Sequence, residues 1–382
     1  MELLGKSREE LQAYCKALGE PAYRGGQIYH ALYAERKFDV ASFTNLPAAL
    51  REKLRQEAAV SLPVVRQRYE SSDGSVRYLF GLSAGKEASA GIPKTARMKP
   101  AAVEAVFMPN EGRQTICIST QAGCAVDCQF CLTAKLGLIR NLTAGEMLAQ
   151  VLLPLVEMGG KESAGKLEKA EGEEGCSALA ARTNVVLMGQ GEPLLNFENV
   201  IAALRILLDA KGVGLSTKRV TLSTSGVVPG MERLGKEEVR PKLAISLNAS
   251  CDEQRDVLMP INKKYPLKEL METCRMYPLR NWENLTFEYV MLGGVNDKVE
   301  DARRVVKLLA AVDRVKVNLI PWNPGELPYK ESSAETINKF QKVLTDKGVP
   351  AFVRYSRGRD VMAACGQLAL MDVKSSPLSV IQ

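Results

Sequence analysis

Gly123-Cys124-Ala125-Val126-Asp127-Cys128-Gln129-Phe130-Cys131 sets three cysteines in a Cys-x3-Cys-x2-Cys pattern near the end of the first third of a 382-residue chain. Three thiolates this close in sequence can hold three irons of a [4Fe–4S] cube and leave the fourth iron open to a small molecule. A structural zinc site is the competing reading, and it wants four Cys or His ligands in a closed tetrahedron. The only histidine is His30, far away in sequence, so a fourth zinc ligand would have to be a thiol from a distant segment. Three buried cysteines acting only as small hydrophobes are the remaining alternative, which the spacing argues against.

The cysteine stretch follows a predicted strand at Thr115–Ser119, and from there helices and strands alternate. Thr143-Ala-Gly-Glu146 is a capping box opening a helix with Met147, Leu148, Val151, Leu152 and Leu155. Strands are predicted at Val185–Met188, Arg219–Ser223, Lys242–Leu247, Leu285–Met291, Val315–Ile320 and Ala351–Tyr355. Helices are predicted at Phe197–Leu208, around Leu267–Tyr277, at Asp297–Ala311 and after a cap at Ser332-Ser-Ala-Glu335. Repeated βα units predict an α/β fold with parallel strands. About six units fit, a partial (β/α)6 barrel rather than a full eight, with the cysteines on the C-terminal rim where barrel enzymes keep their chemistry.

Upstream the period changes. Residues 1 to 60 read as helical, with a capping box at Ser7-Arg-Glu-Glu10, a break at Gly25-Gly26, a second helix at Gln27–Arg36 and a third opened by Asn45-Leu-Pro47. Val64–Tyr69, Val76–Leu82 and Val103–Met108 read as strands, with a polar connection at Ala84–Pro100. The reading divides the chain into a helical accessory domain (1–60), a β extension (61–109), the barrel core (110–345) and a C-terminal segment (346–382). Gly159–Gly175 is nearly all Gly, Lys, Glu, Ala and Ser and is expected to be a mobile surface loop.

With 46% hydrophobic and 25% charged residues, the composition is that of an ordinary globular protein. The N-terminus lacks a signal-peptide pattern and no apolar run reaches bilayer length, so a cytoplasmic protein with no membrane association is expected. Nine cysteines in such a chain read as metal ligands or reactive thiols rather than as disulfides. A net charge of +7 is a mild bias toward polyanions such as RNA.

Several polar residues end successive apolar strands. Gly189-Gln-Gly191-Glu192-Pro193 ends one; its glycines allow close backbone approach and Glu192 suits an ammonium group. Ser223, then Ser246-Leu247-Asn248, then Asn323 end the following ones. Singly each reads as a cap or turn residue; together they outline a rim site. Cys117 and Cys365 are isolated thiols, a type usually buried as a small hydrophobe. Glu104 lies within an apolar strand, either as a buried group with a raised pKa or as an edge residue facing water. Lys263, Lys264, Arg354, Arg357 and Arg359 are candidate phosphate contacts, and Trp322 and Tyr355 either stack on bases or pack.

The cysteine spacing resembles that of the radical S-adenosylmethionine (SAM) enzymes. Asn184-Val-Val-Leu-Met-Gly-Gln-Gly-Glu-Pro-Leu-Leu-Asn196, Leu222-Ser-Thr-Ser-Gly-Val-Val-Pro229, Pro260-Ile-Asn-Lys-Lys-Tyr265, Phe287-Glu-Tyr-Val-Met-Leu292, Asn318-Leu-Ile-Pro-Trp-Asn-Pro324 and Ala364-Cys-Gly-Gln-Leu368 narrow the resemblance to the RlmN/Cfr family of radical SAM RNA methyltransferases. The resemblance runs from about residue 100 to 370, and the helical N-terminus suits the family's accessory domain. It implies a [4Fe–4S] cluster on Cys124, Cys128 and Cys131, and SAM held by Gly191, Glu192, Ser223, Ser246, Leu247, Asn248 and Asn323. It makes Cys365 a methyl carrier that passes through S-methylcysteine, and Cys117 the thiol that releases the product through a transient disulfide with Cys365. Glu104 matches the family's proton acceptor, although Cys117 is a second candidate for that proton.

The implied reaction is methylation of adenine C2 in 23S rRNA (adenine 2503 by analogy), and in some members tRNA (adenine 37), with two SAM per turnover. Methylation at C8, the resistance activity of the same family, shares every one of these thiols. A non-catalytic iron–sulfur RNA-binding protein is a more remote alternative, and it would have no use for an open iron and a SAM pocket. The implied partners are RNA and a low-potential electron donor such as flavodoxin with its reductase, acting on a monomer. Two departures stand out. Asn248 replaces the family's usual His and cannot titrate near neutral pH, and Gln190 replaces a common Met.

Overall fold

The Ser7 hydroxyl accepts from the Glu10 amide while the Glu10 carboxylate accepts from the Ser7 amide, so the predicted capping box opens α1 (Arg8–Ala17). Helices α2 (Tyr23–Tyr33) and α3 (Ala48–Glu57) complete the N-terminal module. Gly25-Gly26 does not break the chain, as the sequence reading expects, but lies inside α2. The reason is packing: a Cβ on Gly25 would stand 2.3 Å from the Gln12 backbone nitrogen, so glycine lets α1 and α2 touch backbone to backbone. The computed structural model describes residues 1–82, 101–162 and 178–370. The Ala84–Pro100 connection lies outside them, as does most of the Gly159–Gly175 stretch, whose first residues belong to a helix.

The strands are β1 (Val64–Glu70), β2 (Val76–Gly81), β3 (Ala102–Asn110), β4 (Arg113–Cys117), β5 (Gln121–Gly123), β6 (Leu138–Asn141), β7 (Thr183–Leu187), β8 (Val220–Thr224), β9 (Lys242–Ser246), β10 (Leu285–Met291), β11 (Val315–Pro321) and β12 (Ala351–Val353). The later helices are α4 (Ala144–Glu162), α5 (Ala178–Ala181), α6 (Phe197–Leu208), α7 (Val228–Lys236), α8 (Asp252–Leu258), α9 (Leu267–Met276), α10 (Val299–Leu309) and α11 (Ala334–Asp346). Ten strands form one sheet in the order β1-β2-β3-β4-β7-β8-β9-β10-β11-β12, and β5 pairs with β6 beside it. From β4 to β12 every neighbouring pair is parallel, while β1 to β4 run antiparallel as the β extension. The sheet does not close on itself, which is the expected partial barrel.

Predicted and observed elements agree closely downstream of the cysteines; Phe197–Leu208 and Leu285–Met291 have the expected bounds. The β5–β6 ribbon, α7 and α8 are additions. The cap of α11 is Ser333, whose side chain accepts from the Thr336 amide, and Ser332 instead donates to Asp297 at 2.7 Å.

The parallel strands alternate with period two, but in the opposite sense to a filled barrel. Leu222, Leu243, Ile245, Phe287, Tyr289, Val317 and Leu319 are fully buried in the apolar core. Their neighbours in sequence, among them Thr221, Ser223, Lys242, Ser246, Thr286, Glu288, Lys316 and Asn318, line an open cavity. The core continues without interruption into the N-terminal module through Leu11, Ile28 and Leu50. Among the described residues no helix is long and apolar enough to cross a membrane.

Candidate active site

The barrel strands enclose a cavity of about 800 Å³. Cys124, Cys128 and Cys131 lie on its wall, with Cys117 from β4 and Cys365 from the C-terminal segment. Backbone bonds set the cysteine loop: Cys124 N donates to Gly137 O, and Gln129 N to Leu258 O. Burial pushes the Cys124 thiol up to about 12, and burial likewise raises Cys128 and Cys131, the charge of Cys131 adding to the rise at the other two. Arg255 opposes this at Cys128. It is fully buried, and its guanidinium donates to the Leu247, Ser225 and Ser246 carbonyls and to Asn262 Oδ1. Iron would replace the protons these thiols hold, since metal ligation needs thiolates.

A structural zinc site wants a fourth Cys or His ligand, and the lining of this cavity adds only Cys117 and Cys365, from β4 and the C-terminal segment, to the three cysteines of the loop. Three thiols from one loop on one cavity lining, with the charge of Arg255 acting on Cys128, suit a multi-iron cluster. The donor set fits a [4Fe–4S] cube with one iron open.

Glu192 follows a tight turn at Gly191, where φ is +98° and a Cβ would stand 2.6 Å from Gln121 Cβ. The Glu192 carboxylate, 3% exposed, accepts from Leu194 N (3.1 Å), Thr224 Oγ1 (2.8 Å) and Ser225 N (2.7 Å). A carboxylate has about four acceptor positions, so one remains for an ammonium group in the cavity. Ser223 Oγ and Ser246 Oγ stand 3.4 Å apart on the same wall.

Three residues of the expected SAM set have structural duties. The Leu247 side chain is buried in the core, and its carbonyl is taken by Arg255. Asn248 lines the cavity in the left-handed region (φ +55°), which Asn tolerates better than most residues. Its Oδ1 accepts from Val290 N and its Nδ2 contacts Met259 Sδ at 3.3 Å, so both ends of the amide are engaged. Asn323 Nδ2 donates to Ser356 Oγ (2.9 Å) and to the Cys365 carbonyl (3.0 Å), so it positions the C-terminal segment.

That segment is pinned on several sides. Leu132 N donates to Gly366 O, Thr133 Oγ1 to Leu368 O (2.6 Å) and Gln367 Nε2 to Pro324 O (2.8 Å). The result leaves Cys365 exposed to the cavity yet surrounded by protein, and burial pushes its thiol up to about 12. Burial does the same to Cys117.

Glu104 is not brought to the cavity with the others. It lies on β3 between β2 and β4, 1% exposed, so the water-facing alternative is excluded. It pairs with fully buried Arg77 at 2.7 Å, and its Oε2 accepts from Leu370 N (3.0 Å) and Gln190 Nε2 (3.4 Å). Burial nevertheless raises its pKa, Arg77 acting against it. Gln190, the departure from Met, also donates to Leu368 O at 3.4 Å and thus joins Glu104 to the segment behind Cys365.

Of the expected RNA contacts, Arg354 and Tyr355 line the cavity mouth. Arg357 also lines it but clamps Asp73 and Pro109, and Arg359 pairs with Glu331 at 3.0 Å. Trp322 packs: its Nε1 donates to Phe130 O, and its ring meets Tyr329 edge-on. Sequence reasoning missed Arg219, Lys242, Lys316 and Glu288, all on the cavity wall. Their alternation with buried apolar residues is the signal that could have found them.

Residues 118–309 match the radical SAM superfamily, and residues 1–60 match the ribosomal RNA large subunit methyltransferase N-terminal domain. The chain is 47% identical over 369 residues to a probable dual-specificity RNA methyltransferase RlmN of Koribacter versatilis, covering 92% of this chain and 96% of that protein. It is 44% identical to the dual-specificity RNA methyltransferase RlmN of Azorhizobium caulinodans, over 96% of this chain and 88% of the relative. A crystal structure of a radical SAM methyltransferase from Sphaerobacter thermophilus superposes with a TM-score of 0.82 at 38% identity, covering 96% of this chain and 99% of the other.

Proposed function

The chain belongs to the RlmN family of the radical SAM superfamily, and from that membership we propose that it is an RNA methyltransferase acting on adenine C2 in 23S rRNA and in tRNA. One observation carries the reading: Cys365 and Cys117 lie on the same cavity wall as Cys124, Cys128 and Cys131. Cys124, Cys128 and Cys131 would hold the cluster, and Gly191, Glu192, Ser223, Ser246, Asn248 and Asn323 would surround SAM, with Leu247 packed into the core between its neighbours. When bound, the cluster and SAM supply a methyl group and, with an electron from a low-potential donor of the flavodoxin kind, a hydrogen-abstracting radical.

The chain's own residues do the rest. Cys365 loses its proton and takes the methyl group on sulfur. Its S-methyl carbon loses one hydrogen to that radical and bonds to adenine C2; with one electron returned to the cluster and the C2 proton released, RNA is joined to Cys365 through a methylene. The Cys117 thiolate attacks the Cys365 sulfur, the S–CH2 bond breaks, and the released carbon takes up a proton to become the methyl group, leaving a Cys117–Cys365 disulfide for a reductant to reopen. The adenine C2 proton needs an acceptor. Cys117 lines the cavity and is better placed than Glu104, which Arg77 and Leu370 hold behind the wall. Arg219, Lys242, Lys316 and Arg354 supply the positive charge that RNA phosphates require. The chain reads as an accessory domain (1–60), a β extension (61–109), the radical SAM core (110–345) and the carrier segment (346–382), working as a cytoplasmic monomer.

The test is anaerobic reconstitution, incubation with SAM, reductant and an rRNA or tRNA fragment, and mass spectrometry of the nucleosides. A C2-methyladenosine that disappears in Cys365→Ala is the expected result. In Cys117→Ala the RNA should remain bonded to Cys365. A C8 mark, or methylation that survives Cys365→Ala, would refute the reading.

A further inference from the structure

Glu288 sits within β10, in register with Ser246 of β9 and Asn318 of β11. It is 8% exposed and lies on the cavity wall. Its Oε1 accepts from Asn318 Nδ2 at 2.9 Å, while among the described residues Oε2 has no partner. Glu104 and Glu192, more deeply buried still, each accept three donors. The charges of Lys316 and Arg354 act on this carboxylate, but among the described residues neither donates to Oε2, which is left as an acceptor for a donor inside the cavity.

A chain of hydrogen bonds ties Glu288 to the Cys365 side of the cavity. Asn318, its partner, accepts from Arg354 Nε at 3.2 Å, and Ser356, two residues further on, accepts from Asn323, which also holds the Cys365 carbonyl. A base that enters the cavity past Arg354 toward Cys365 therefore passes Glu288.

We propose that Glu288 is a specificity-determining residue that reads the amino edge of the target adenine, its free Oε2 accepting from the exocyclic N6 amine. The assignment rests on the RNA-methyltransferase reading above. Adenine and cytosine carry an amine at the equivalent edge, whereas guanine and uracil carry a carbonyl oxygen that a carboxylate repels. Asn318 fixes the plane of the carboxylate through Oε1, so the free oxygen can set the rotation of the base and with it the carbon presented to Cys365. SAM also contains an adenine, and a test must separate the two rings.

The experiment compares kcat/KM for two RNA fragments that differ only at the target, adenosine in one and purine riboside, which lacks the amine, in the other. The wild type should prefer adenosine by about 10–100-fold, the value of one hydrogen bond to a charged group. Glu288→Ala should bring that ratio close to one. Glu288→Gln should do the same at unchanged side-chain volume, because Asn318 draws the amide oxygen toward itself and turns the NH2, a donor, toward the amine. SAM affinity is measured on each variant by equilibrium dialysis. A preference retained in both variants would overturn the assignment, and so would a loss of SAM affinity with the preference intact, which would place Glu288 on the cofactor. Wild-type protein that methylates neither RNA would overturn the underlying reading together with this one.

Discussion

Arg77 and Glu104 form an ion pair at 2.7 Å with 0% and 1% of their side chains exposed, and the pair also secures the backbone at Leu370, five residues beyond Cys365. Removing one member leaves the other charged, desolvated and unpaired, which costs about 3–5 kcal/mol. Arg77→Met and Glu104→Leu should each lose that amount in urea unfolding of the cofactor-free chain followed by circular dichroism. If the two acted independently, the double variant would lose about 6–10 kcal/mol. It should instead lose only about 1–3 kcal/mol, because no charge remains buried and the residual loss is the missing acceptor for Leu370 N. Additive losses would refute the view that the pair is one unit, as would an Arg77→Met loss below about 1 kcal/mol, the range of an exposed pair.

Three further outcomes follow from the same geometry. Burial acts to raise Asp73, but hydrogen bonds from Ser75, Gly358 and Ser71 more than offset it, and Ser71 and Ser72 do the same for Asp360, so both carboxylates are depressed. Their contribution is fully present above the unfolded value of about 4 and is lost as pH falls through the lower folded values; amide exchange at residues 355–365 of the cofactor-free chain should therefore accelerate relative to the barrel strands below about pH 4. With its thiol at about 12, Cys365 should be alkylated by iodoacetamide at a rate rising about tenfold per pH unit from 7 to 10, as peptide mass spectrometry reads; a plateau near 9 would contradict the enclosed site. Lys242→Ala should lower the slope of log affinity for single-stranded RNA against log salt by about 0.7, one phosphate contact, and an unchanged slope would remove Lys242 from the RNA path.

Much of this architecture was legible because local rules acted alone. The Ser7 and Thr143 boxes, the period-two strands and the Cys124–Cys131 spacing needed no tertiary information. The lumen was harder to read. Alternation in Leu285–Met291 announces a strand with two unlike faces, but not that the polar face points at the chemistry; only the parallel register that lines up Ser246, Glu288 and Asn318 reveals that. Glu104 was recognised as unusual, yet Arg77 lies 27 residues upstream and reaches it only once β2 and β3 have paired. The conformation of Asn248 was not legible because sequence does not carry φ; at +55° its amide oxygen accepts from Val290 N near the end of β10. The Gly25-Gly26 pair failed as a break because Gly25 serves a helix crossing.

The anchoring of Cys365 has a consequence for biogenesis. Its neighbours are held by residues from β3, the cysteine loop, the β7 turn and the end of β11. Every one of those segments leaves the ribosome before Cys365 does. A domain that folds as it emerges can thus complete its sheet while Cys365 is still in the exit tunnel. The Cys365 sulfur then arrives last, into a socket already built, and on the function proposed above a nascent chain stopped short of it would be folded but chemically silent.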